Sequence, residues 1–139
     1  MKRRNMVHGI IVLFCAVSLY AVPVYATYNE GMEAYLMKDY ARAMKNFMYE
    51  EDAASLYMVG YLYDHAEGVP NDSAKAVEWY TKAAEKGSVK AMYRLGVMYS
   101  NGVGVEKDDA TAIKWFKKAA FKGFVPAKDA VKRLEKSSN

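Results

Sequence analysis

The sequence predicts an all-α protein, an α-solenoid of stacked helical hairpins, and three observations carry that prediction. First, residues 53–88 and 89–124 align without a gap at a spacing of 36. Tyr57 falls on Tyr93, Gly60 on Gly96, Tyr63 on Tyr99, Gly68 on Gly104, Asp72 on Asp108, Trp79 on Trp115 and Gly87 on Gly123. A fixed period of this size marks a stacked architecture. Second, the apolar spacing inside each unit is helical. Ala76, Tyr80, Ala83 and Ala84 fall at i, i+4, i+7 and i+8, and Ala112, Phe116, Ala119 and Ala120 repeat the stripe. Third, the stripe is made of small residues. Its alanines, with Gly60 and Gly96 on the preceding helix, let neighbouring helices approach closely, while Tyr80 or Phe116 fills the space left between them.

Taken in chain order, residues 1–26 read as a signal peptide. Lys2, Arg3 and Arg4 open it, an apolar run follows from Val7 to Val22, and Val24 and Ala26 stand at the −3 and −1 positions of a small-residue cleavage site. That run contains His8 and Ser18 and is short against the roughly 20 residues needed to span a bilayer, so cleavage after Ala26 and no transmembrane segment thereafter are expected. Residues 27–52 form a hairpin of a different kind, in which Gly31, Tyr40, Ala43 and Phe47 flank a short loop at Lys38-Asp39. Glu50, Glu51 and Asp52 precede a helix starting near Ala53, where negative charge suits the helix dipole better than it suits a cation site.

In each 36-residue unit, Asp72 or Asp108 stands where the second helix begins, suited to capping its free amides. Gly87 or Gly123 stands where it ends, suited to a left-handed turn. Between the helices, Gly68-Val69 and Gly102-Val103-Gly104-Val105 form loops whose valines are expected to tuck under the helices. Residues 125–139 supply one further helix and a tail. Lys132 there replaces Gly60 and Gly96, and the charged surface makes a solubilising cap.

Composition removes several function classes. The net charge of +4 includes the three cations of the signal; without them 17 bases face 16 acids, and nucleic acid loses its electrostatic warrant as a partner. Cys15 lies inside the signal, so the processed chain has no thiol and no disulfide. It keeps one histidine, His65, which rules out HExxH-type and multi-histidine metal sites, and none of its serines sits in a G-x-S-x-G elbow. No catalytic residue, metal or cofactor is assigned. The charge is polarised: residues 27–80 hold ten acids and four bases, and residues 110–139 hold two acids and eight bases.

The string "AMYRLGVMYSNGVGVEKDDATAIKWFKKAAFKG" resembles a Sel1-like repeat, a relative of the tetratricopeptide repeat with a longer loop between its helices. The earlier copy departs modestly, with Ser55 for alanine and "DHAEGVPND" as its loop, and residues 27–52 resemble a tetratricopeptide hairpin. The resemblance implies a right-handed solenoid of about seven helices whose first helices line a concave groove. Carried over from Gly31, Gly60 and Gly96, the lining positions are Tyr28, Met32, Tyr35, Tyr57, Tyr61, Asp64, His65, Lys90, Tyr93, Val97 and Asn101. Five are tyrosines, which give rigid contact area with a polar tip. Tyr57 and Tyr93 have a rival role in packing against the adjoining hairpin.

The function implied is an exported, non-enzymatic module, periplasmic or secreted, that binds an extended peptide or helix of another protein, and a toxin-neutralising immunity protein is one form of it. Two alternatives stand beside it. Cysteine-rich relatives are linked to β-lactam binding and hydrolysis, but this chain lacks their cysteines; a cell-wall glycan binder would use the exposed aromatics.

Overall fold

The computed structural model describes residues 25–137, which form seven helices and no strand. They are α1 (Tyr25–Leu36), α2 (Tyr40–Tyr49), α3 (Ala53–Asp64), α4 (Ser73–Glu85), α5 (Val89–Asn101), α6 (Asp109–Phe121) and α7 (Val125–Ser137). The closest pairings are α1 with α2, α3 with α4 and α5 with α6, while α7 packs on α6 as a single final helix. The charged and apolar parts of the expected signal peptide lie outside the described residues, and α1 starts at Tyr25, just ahead of the expected cleavage point. No helix among the described residues is long and apolar enough to cross a membrane.

Capping residues set where the helices start. The carboxylates of Asp39, Asp52, Asp72 and Asp108 accept from the amides of Arg42 (3.1 Å), Ala54 (2.8 Å), Lys75 (2.9 Å) and Thr111 (3.0 Å), and the Ser88 hydroxyl accepts from Ala91 at 3.3 Å. α4 and α6 both end in a left-handed glycine, Gly87 at φ 98° and Gly123 at φ 88°. Each is closed by paired amide bonds such as Gly87 to Ala84 and Ser88 to Ala83, both 2.9 Å.

Packing within a hairpin depends on a glycine facing an aromatic ring. A Cβ on Gly60 would sit 2.7 Å from Tyr80 Cδ1, one on Gly96 2.6 Å from Phe116 Cδ1, and one on Gly31 2.6 Å from Phe47 Cε1. The three hairpins therefore share one close approach, and the ring opposite each glycine is buried. Gly104 stands at φ 71° with its Cα against the Ser73 carbonyl on α4, where no side chain fits, so this loop rests on the preceding hairpin. The valines of the loops divide. Val105 packs against the core, but Val103 is 41% exposed and does not tuck under the helices, because the left-handed turns at Gly102 and Gly104 hold it at the crest of the loop.

Two apolar clusters result. Ala34, Phe47, Val59 and Leu62 join the first hairpin to the first 36-residue unit, and Leu56, Tyr80, Leu95, Phe116 and Val131 join the two units to α7. Tyr57, Tyr63 and Trp79 pack against both, so the first unit is the bridge of the stack.

Candidate functional site

The expected lining positions lie on α1, α3 and α5, with His65 at the C-terminal cap of α3, and the structure sorts them into three groups. The largest is a ladder of rings running from the first hairpin into the first 36-residue unit. Tyr35 lies 5.8 Å from Tyr40 and 6.2 Å from Tyr61, Tyr61 lies 6.4 Å from Tyr57, and His65 stacks on Tyr61 at 3.8 Å. Spacings of 4.5–7 Å between tilted rings are the favoured aromatic geometry. Burial, followed by interaction with Glu67 and Tyr61, pushes the Tyr35 hydroxyl well above its ordinary range, so it stays a protonated donor.

The second group sits where the two repeats meet. Tyr57, Lys90, Tyr93, Arg94 and Phe124 line a cleft of about 370 Å³. Tyr57 also lies 5.4 Å from Tyr80, and Tyr93 lies 5.4 Å from Phe116 and 5.1 Å from Phe124. Packing and cleft lining are thus not alternatives for these two tyrosines. Both are half-buried, with one part of the ring against the hairpin and another on the cleft wall.

In the third group, Val97 and Asn101 join Tyr93, Ser100 and Arg133 around a hollow of about 470 Å³ between α5 and α7. Tyr28 lies 5.8 Å from the Phe47 ring, and Tyr28 and Met32 pack on the same apolar cluster as Tyr35, Tyr57 and Tyr61.

Asp64 and His65 are committed to their own hairpin. The Tyr80 hydroxyl donates to Asp64 Oδ2 at 3.2 Å, and His65 Nδ1 lies 3.0 Å from the Tyr61 carbonyl oxygen. Burial, then the Asp64 charge, pushes the Tyr80 hydroxyl far up, so it too remains protonated.

Arg94 is the residue that the spacing from Gly96 did not select. Burial opposes its charge, but its hydrogen bond to the Tyr57 hydroxyl and the negative charge of Asp64 outweigh burial and push it above the ordinary arginine range. Its signal was in the repeat itself, since Arg94 aligns with Met58, and Met58 is buried against the first hairpin. The same position thus makes an apolar junction below the first repeat and a charged one between the two repeats. Glu67 and Phe124 were missed because they enter the site from loops. Among the described residues no group of three or more His, Cys, Asp and Glu could hold a metal ion.

A sequence-family model for the Sel1 repeat matches residues 53–88 and 89–124. No curated protein matches the chain significantly. Solved structures do. A Sel1 repeat protein from Oxalobacter formigenes is 36% identical, with a TM-score of 0.74 over 77% of this chain and 45% of its own. The protein c5321 of uropathogenic Escherichia coli, described as a protective antigen with an SLR fold, is 26% identical, with a TM-score of 0.76 over 86% of this chain and 27% of its own. This chain therefore spans less than half of either protein. The cysteine-rich protein B of Helicobacter pylori shares the fold, with a TM-score of 0.65 at 21% identity over 84% of this chain and 92% of its own. With both 36-residue units matched, together more than half of its length, the protein belongs to the Sel1 repeat family.

Proposed function

We propose that this protein is an exported, non-catalytic module that binds a segment of one partner protein along its concave face. Sel1 repeats are in general protein-binding scaffolds, and one observation carries the assignment to this face. A half-buried aromatic ladder, Tyr35, Tyr61 and Tyr57, leads into a cleft whose cations are Lys90 and Arg94. Rigid rings beside a half-buried arginine match the residue types enriched in binding hot spots, and a groove that crosses successive hairpins suits an extended peptide or a helix. Export rests on the signal-like pattern of residues 1–26. A dedicated binder with one partner, such as an immunity protein that neutralises a secreted toxin, is the finer form of the reading.

The test is affinity capture from the envelope fraction of the native organism with wild type and Arg94→Met. The variant installs in the second repeat the residue that the first repeat carries at Met58, so the fold is retained and the charge is lost. A single captured protein whose affinity drops by roughly tenfold or more in the variant is expected, as for an arginine hot spot. A partner held equally by both proteins refutes the groove assignment.

A further inference from the structure

The two repeats differ on one face of their second helices. On α4 that face carries Glu78, Trp79, Lys82 and Glu85; one period later on α6 it carries Lys114, Trp115, Lys118 and Phe121. The tryptophan and its lysine are kept, each ammonium lying 4.1 Å over the indole ring. Both acids are gone, one replaced by a cation and the other by a phenylalanine that is 93% exposed. Trp115, Phe121 and Met92 wall a cleft of about 890 Å³, rimmed by Lys114, Lys117, Lys118 and Lys122, with Glu85 of α4 as the one acid in its lining. The hairpin does not need this arrangement, since α4 builds the same hairpin with glutamates. A lysine-rimmed aromatic patch of this kind marks a binding surface.

A complementary surface stands on the first hairpin. The first hairpin exposes Leu36, Met37, Met48 (51%) and Tyr49 (79%), and Tyr49 runs directly into Glu50 and Glu51. Both surfaces therefore present exposed apolar side chains, with Glu50 and Glu51 following Met48 and Tyr49 on the first hairpin and lysines around the α6 cleft. Residues 27–80 hold ten acids against four bases and residues 110–139 two against eight; seven of the ten acids lie in residues 50–80, starting at Glu50 and Glu51, while residues 27–49 hold three of each sign.

We propose that the α6 cleft receives the first hairpin of a second copy of this chain. Met48 and Tyr49 of one molecule meet Trp115 and Phe121 of the next, and Glu51 faces Lys118 and Lys122. The two surfaces are different parts of one molecule, so the contact is heterologous. A dimer keeps one of each surface unused, and association continues as an open chain. Opposite charge guides the ends together, and the attraction weakens as the Debye length falls from about 8 Å at 0.15 M salt to about 3 Å at 1 M.

The experiment uses protein recovered from the compartment in which its host accumulates it, so that residues 1–26 are in their natural state. Mass is followed by light scattering up to about 1 mM. Wild type is expected to grow with concentration and to shrink towards monomer in high salt. Phe121→Glu blocks one end and Tyr49→Lys the other; both positions are exposed, and helical content is checked by circular dichroism. Each variant alone is expected to remain monomeric, while an equimolar mixture forms a one-to-one dimer through the two intact ends. Three outcomes overturn the proposal. Wild type stays monomeric throughout, the blocked variants still associate alone, or wild type stays monomeric yet binds phosphatidylglycerol vesicles and loses that binding in Phe121→Glu, which would give the patch to a lipid surface.

Discussion

Residues 53–88 and 89–124 share a skeleton and differ in what they attach to it. Both start their second helix at an aspartate, close it at a left-handed glycine, and hold glycine against a buried ring at the hairpin crossing. In the first repeat that ring is Tyr80, whose hydroxyl donates to Asp64. In the second it is Phe116, and Ser100 stands one period after Asp64. Repeats in a stack must match where their own two helices cross; elsewhere, junctions between units included, each copy is free to diverge. The divergent positions, Met58 against Arg94 and Glu85 against Phe121, are therefore the informative ones for function.

The largest expected effect attacks what the copies share. Gly60→Ala and Gly96→Ala should each destabilise by about 1–3 kcal/mol, because the added methyl must displace a packed ring, and the intrinsic helix preference of alanine offsets only part of that cost. Urea denaturation monitored by circular dichroism reads this. A neutral result in either repeat would mean that its ring has room to retreat, and that the crossing is looser than the 2.6–2.7 Å approach implies.

A smaller effect should separate the copies. Tyr80→Phe removes a hydrogen bond to a carboxylate and is expected to cost about 1–2 kcal/mol. Phe116→Tyr, with no aspartate opposite, should change stability by less than about 0.5 kcal/mol. Adding Asp64→Ser to Tyr80→Phe gives the first repeat the second repeat's residues at these two positions. If the hydrogen bond is the source of the difference, the double variant will be less destabilised than the sum of the singles; simple additivity would locate the difference elsewhere.

The smallest effect is acid sensitivity. Burial alone would raise Asp52, but hydrogen bonds from Ser55 and Ala54 outweigh it, and its carboxyl is held below the ordinary range. The amide and side chain of Lys75 lower Asp72 in the same way, and the hydroxyl and amide of Thr111 lower Asp108. Because the folded value is depressed, this contribution is complete above the unfolded pKa of about 3.9 and fades as pH falls through the folded value. Melting temperature should therefore decline below about pH 4. Asp52→Asn, which can still cap but cannot titrate, should flatten part of that decline; an unchanged profile would show that other groups govern acid unfolding.

The repeat period, the helical stripe and the capping aspartates were legible in the sequence because each is a local or periodic requirement. A helix needs its free amides satisfied, and a stack needs the same small residues at the same interval. The role of Tyr57 and Tyr93 was only half legible, since a ring can pack on one side and face a cleft on the other. The bond from the Tyr80 hydroxyl to Asp64, 16 residues apart in sequence, was not legible. Arg94 escaped because nothing next to it in sequence announces Tyr57 and Tyr80, which are 37 and 14 residues earlier.

The sequence by itself determined an all-α stack, its repeat unit and the close crossing of its hairpins, because periodic burial and helix capping are written in residue spacing. Only the tertiary structure decided which of the candidate side chains share a surface. Sharing a surface depends on how far each helix turns against the one before it, and that rotation places Arg94 beside Tyr57 and leaves Phe121 standing in water.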